Sequence, residues 1–150
     1  DPGTGILGFG VIESGRRPTL VDAGVIRTKP HQPEPERLAI IFDGLNEIVA
    51  AARPDIVSVE KLFFARNVTT AMSVAQARGV VLLVAQRHSL PIFEYTPMQI
   101  KLSVTGYGKA DKKQMQEMVR ILLNLKEVPK PDDAADALAA ALTHGATASI

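Results

Sequence analysis

With 150 residues, 46% hydrophobic and 22% charged, the chain is sized and composed for one globular domain that buries about two-thirds of its extended surface. It has no cysteine, which excludes disulfides and thiolate metal sites and points away from secretion, towards a cytoplasmic protein. No apolar run reaches membrane-spanning length, so no membrane partner is expected.

The chain opens Asp1-Pro2-Gly3-Thr4-Gly5, where glycines let the backbone turn tightly. The alternation from Ile6 to Ile12 predicts a strand, and residues 14–18 a turn. Residues 19–28 return as a second or third strand of an antiparallel meander. A connector with two prolines follows over residues 29–34. From Pro35 the period becomes helical: Leu38, Ile41, Phe42, Leu45, Ile48, Val49 and Ala52 share one face until Pro54 stops the run.

Residues 55–59 read as a short buried strand that delivers Glu60 at its carboxyl end, where open α/β sheets place ligands. The loop after it carries Phe63, Phe64, Arg66 and Asn67. Thr69 is expected to cap a helix running to about His88. Residues 91–95 form the next strand, and Thr96-Pro97 starts a helix that carries Lys101 and ends at Gly106. Asp111 caps a further helix, with Met115, Met118, Val119 and Leu122 facing inward. Lys101, Lys109, Lys112 and Lys113 make this part of the chain basic.

The last helix is the most informative. Its body, from Ala137 to Leu142, is apolar or small and must be largely buried. Its front carries Asp132, the expected cap, and Asp133 and Asp136, which lie three apart and so point the same way. Two acids at the rim of a core repel unless a cation bridges them, and oxygen-only ligands favour magnesium or manganese. His144 is expected to serve the dipole at the helix end. Asp1, Glu60 and the Asp133/Asp136 pair each end an element with an apolar body, so all could meet at one sheet edge. Four such acids can hold two divalent ions about 3.5–4 Å apart, the arrangement for in-line phosphodiester hydrolysis. Setting four of the 16 acids aside leaves the 17 basic residues in clear excess, a mildly basic surface around an acidic hole that suits a polyanion.

Asp1-Pro2-Gly3 before a glycine-punctuated strand, Val59-Glu60 before a phenylalanine-bearing loop, Gln76-Ala77-Arg78-Gly79, and Asp133-Ala134-Ala135-Asp136-Ala137-Leu138-Ala139 with Thr143-His144 resemble the RuvC family of Holliday junction resolvases. The resemblance runs in order along the chain. It implies an α/β, ribonuclease H-like fold, with a mixed five-stranded sheet flanked by helices in a single domain over residues 1–150. It also implies a cytoplasmic homodimer that nicks two opposed strands of four-way junction DNA, using two magnesium ions per active site, with manganese able to substitute. By family position Asp1, Glu60, Asp133 and Asp136 form the catalytic metal site. Phe63 matches an aromatic that stacks on a junction base, and Lys101 and Lys112 match DNA-contacting lysines. Arg66, Asn67 and Lys109 complete the expected DNA contacts. The family's partners are the branch-migration proteins RuvA and RuvB. In the family a few apolar residues precede the first aspartate and form the front of the central strand, so they are expected to precede Asp1 in the working protein.

Three other readings share these residues, one of them a non-catalytic DNA-binding module on the same fold, which has no reason to place four carboxylates facing phosphates. A ribonuclease H-fold nuclease of the YqgF type would act on RNA. The opening Asp1-Pro2-Gly3-Thr4-Gly5 also resembles the first phosphate loop of actin- and Hsp70-like ATPases, which need a second related domain.

Overall fold

A computed structural model describes residues 5–61 and 68–148. The expected residues Asp1, Phe63, Phe64, Arg66 and Asn67 lie outside that range. The chain folds as β1 (Ile6–Glu13), β2 (Thr19–Arg27), α1 (Glu34–Ala52), β3 (Val57–Glu60), α2 (Val68–Arg87), β4 (Ile92–Tyr95), α3 (Pro97–Thr105), α4 (Lys112–Leu122) and α5 (Asp132–Ala148).

Strands β1 and β2 form an antiparallel hairpin, Ile6 opposite Arg27 and Glu13 opposite Thr19, with an irregularity after Val11. Strands β3 and β4 pair in parallel, Val57 with Ile92 and Glu60 with Tyr95. Among the described residues there are thus four strands in two separate ladders, where one sheet of five was expected. Helix α5 lies across both. At one end of α5, Gly8 of β1 meets Asp133; further along, Gly10 meets Leu138. Strand β3 runs the other way, its Ser58 hydroxyl donating 2.7 Å to the carbonyl of Ala140 and its last residue, Glu60, within electrostatic reach of Asp136. Among the described residues the two ladders are not hydrogen-bonded to one another, and residues of both β1 and β3 line a cleft of about 710 Å³.

The period-two alternation of β1 sends its side chains to two cores. Leu7 packs with Ile41 and Ala77, from α1 and α2, on one face. On the other face Ile12 joins the larger core of Ile100, Val104, Val119, Leu123, Leu138 and Leu142, from α3, α4 and α5. Helices therefore cover both faces of the strands, as the α/β reading requires.

Local signals account for both ends of α3 and the start of α4. Thr96 caps α3 with Gln99 in a reciprocal pair of hydrogen bonds, and Gly106 ends it at φ 78°. Asp111 and Gln114 cap α4 in the same way. Several expectations need correction. Helix α2 already begins at Val68, ahead of the expected cap at Thr69. Leu122, the last residue of α4, is 38% exposed, while Leu123, its C-cap, fills the core at 5% in its place. Asp132 is the first residue of α5, and its carboxylate is engaged by Lys112.

Candidate active site

Glu60 reaches the site because Val57 and Val59 are β-branched residues suited to a half-buried strand. Val59 is 4% exposed and anchors the strand one residue before the carboxylate. On α5, Ala134, Ala135, Ala137, Leu138, Ala139 and Ala140 are buried, so small side chains bring this helix close against the strands. The strand yields as much as the helix does. A methyl group on Gly8 would fall 2.1 Å from the carbonyl oxygen of Asp133, and one on Gly10 would fall 2.6 Å from the Leu138 side chain. Glycine at both positions lets the acid-bearing turn of α5 sit directly on β1. The Ser58–Ala140 hydrogen bond then ties β3 to the same helix, which sets Glu60 relative to Asp136.

Burial raises the Glu60 carboxyl above its ordinary value, and the charge of Asp136 raises it further, while Lys101 acts in the opposite direction. Asp136 is also raised chiefly by burial, with Asp133 and Asp132 adding repulsion and Lys112 opposing. Two half-buried, mutually repelling carboxylates are a poor arrangement unless a cation neutralises them. Their hard oxygen donors, with no sulfur or imidazole among them, fit a divalent ion of the magnesium type. Among the described residues no three such ligands yet gather at ion-holding range. Glu60, Asp133 and Asp136 are neighbours rather than a closed cage, and Asp1, the fourth expected acid, lies outside the described residues.

Two expected lysines border this cluster from different helices. Lys101 of α3 acts on Glu60. Lys112, the first residue of α4, places its ammonium 3.2 Å from Asp132. Its own affinity for a proton is raised by that bond first and by Asp136 next. Lys109 is exposed in the turn between α3 and α4. His144 does not act at the helix end, because α5 continues to Ala148. Its Nδ1 lies 2.7 Å from the Tyr95 hydroxyl and its ring centroid 4.4 Å from that of Phe93, so it packs α5 onto β4.

Sequence reasoning placed Gly8 and Gly10 in a glycine-punctuated strand but gave them no packing role. The usable signal was their i, i+2 spacing within a strand, which leaves one face without side chains. It also missed the Asp132–Lys112 pair, for which no local signal exists.

The family model for "Crossover junction endodeoxyribonuclease RuvC" matches residues 1–144. The chain belongs to the RuvC family. Similar relatives include the RuvC of Brevibacillus brevis, 55% identical over 145 residues, covering 96% of this chain and 87% of that protein. The RuvC of Pseudothermotoga lettingae is 52% identical over 151 residues, covering 100% of this chain and 93% of the other. Among solved structures, Thermus thermophilus RuvC in complex with Holliday junction substrate superposes with a TM-score of 0.94 at 41% identity, covering 99% of this chain and 91% of that one. A second Thermus thermophilus RuvC structure gives 0.92 at 40% identity. The fold is thus that of RuvC, the ribonuclease H-like α/β architecture, and RuvC nucleases as a family depend on divalent metal ions, in keeping with the oxygen-only acids of the site.

Proposed function

We infer that this chain is a structure-selective endodeoxyribonuclease that resolves four-way DNA junctions by paired hydrolytic nicks in opposed strands during recombination and repair. The observation that carries the reading is the meeting, at one end of α5, of the desolvated carboxylates of Glu60 and Asp136 with the lysines Lys101 and Lys112. Acids that need cations stand beside cations that can take phosphates, a combination a simple binding module would not need. The likeness to a RuvC bound to a Holliday junction substrate names the substrate.

In this reading Glu60, Asp133 and Asp136, together with Asp1, hold two magnesium ions, with manganese as a substitute. Bound ions of this kind supply activation of water and stabilisation of the departing oxygen. Lys101 and Lys112 take the phosphates next to the scissile bond, with Lys109 further along the backbone. Phe63, Arg66 and Asn67, which follow Glu60 in sequence, hold an unpaired base and its neighbours. The acids stay desolvated because α5 is packed on β1 and tied to β3, so the site excludes bulk water from one side before the DNA arrives.

A homodimer matches the two opposed nicks. Supporting it, α2 exposes Met72 and Leu83, 60% and 49% accessible, on the same helical face as Gly79, where a methyl group would touch nothing within 4 Å. RuvA and RuvB in the cytoplasm complete the assembly.

The test is cleavage of a synthetic four-way junction beside matched duplex, flap and RNA–DNA hybrid, with magnesium or with chelator. Paired nicks confined to the junction and to magnesium are expected. Preferential cutting of RNA would overturn the reading in favour of the YqgF type.

A further inference from the structure

Among the ion pairs of the described residues, Lys112–Asp132 is the one that joins two helices at the acid cluster. The Lys112 ammonium lies 3.2 Å from the Asp132 carboxylate, and 59% and 56% of the two side chains are exposed. Helix stability does not account for the position of Lys112. Lys112 and Lys113 open α4 with positive charge at its positive end, which is unfavourable, while Asp111 and Gln114 cap that helix without them. An exposed pair of this kind adds little to the fold. Its consequence is local: one ammonium group stays within a turn of Asp133 and Asp136, on the side of the cluster that faces solvent.

Three acids stand at the front of α5, and their helical phase separates their roles. Asp133 and Asp136 are half-buried against the strands, while Asp132 is exposed towards α4. We propose that Asp132 is a positioning residue that acts through Lys112, holding the ammonium at the rim of the acid cluster and competing with backbone phosphate for it, so that the pair opens when nucleic acid binds. Asp132 thereby lowers the affinity of the free enzyme for phosphate while keeping the lysine where phosphate arrives. The proposal rests on the reading of Lys112 as a phosphate contact.

Two consequences follow. Breaking an exposed pair returns a factor of about 1.5 to 5 at low salt. Phosphate contacts carry little sequence information, so the gain falls equally on a four-way junction and on plain duplex. The experiment is a fluorescence anisotropy titration of both DNAs in chelator, across a salt series, with the wild-type chain, Asp132→Asn, Lys112→Ala and the double variant. Asp132→Ser, a second neutral residue suited to a helix start, guards against a peculiarity of asparagine. Asp132→Asn and Asp132→Ser should bind both DNAs about 1.5 to 5 times more tightly at low salt, and the gain should vanish in the Lys112→Ala background. No gain, a gain of equal size without Lys112, or a gain confined to the junction would each overturn the proposal. Unweakened binding by Lys112→Ala alone would instead remove the underlying reading of that lysine, and the two failures are distinct in the same data set.

Discussion

Replacing Gly8 by alanine tests how far the acid cluster depends on the contact between α5 and β1. The added methyl would stand 2.1 Å from the carbonyl oxygen of Asp133, 2.5 Å from its carbonyl carbon and 2.9 Å from its Cβ. The obstructing atoms are mainly backbone of the helix that carries the acids, so no side-chain rotation relieves the overlap. Bringing the closest contact back to 3.0 Å moves the first turn of α5 by about 1 Å. Overpacking of this kind costs about 1–3 kcal/mol, several degrees of melting temperature for a domain of this size. The effect on cleavage should exceed the effect on folding. Displacing reacting groups by about 1 Å loses on the order of 10²-fold in rate, or about 2.7 kcal/mol of transition-state stabilisation. The assay is single-turnover cleavage of a four-way junction in magnesium at a temperature where the variant is fully folded, beside thermal unfolding and junction binding in chelator. Wild-type cleavage and an unchanged melting temperature in Gly8→Ala would refute the argument, because α5 could not then lie on β1 as closely as described.

Glu60→Gln or Asp133→Asn should reduce nicking by on the order of 10³-fold or more while junction binding persists or tightens; parallel losses of binding and cleavage would assign these acids to DNA contact instead. In chelator, Glu60→Gln should be more stable than wild type by a margin that grows as pH rises. A carboxyl whose folded value is raised contributes stability that is present below its unfolded value and lost as pH climbs through the folded one; differential scanning fluorimetry from about pH 4 to neutrality reads this, and a flat difference between the two proteins contradicts it. A Lys101→Ala/Lys112→Ala double variant should flatten the salt dependence of junction binding by roughly one unit of slope per contact, an unchanged slope excluding both lysines. Phe63→Ala should keep near-normal stability and lose cleavage, since a stacked base is worth about 1–3 kcal/mol; a large fall in melting temperature with cleavage intact would make Phe63 a core residue.

Much of this protein is written locally. Helix α5 was legible because an apolar body behind an acidic front is a property of one continuous stretch, and the burial of Leu138 and Leu142 follows from it. The Thr96 and Asp111 caps are equally local, each closing a bond within three residues. Glu60 was legible as the polar end of an apolar strand. The misreadings fall where a residue's role depends on something distant in sequence. Gly8 and Gly10 are glycines because a helix more than a hundred residues later presses on them. His144 sits deep enough in α5 to meet Tyr95 and Phe93 across the helix–sheet contact. The described residues supply four strands in two ladders, so the expected count of five strands is not met among them. Asp132, Asp133 and Asp136 show the division most clearly. As sequence they divide by spacing alone, Asp133 and Asp136 sharing a face and Asp132 standing ahead of them, without saying what either side meets. Packing α5 on β1 and β3 fixes the rotation of the helix, and that rotation turns two of them towards the desolvated site and leaves the third in solvent against Lys112.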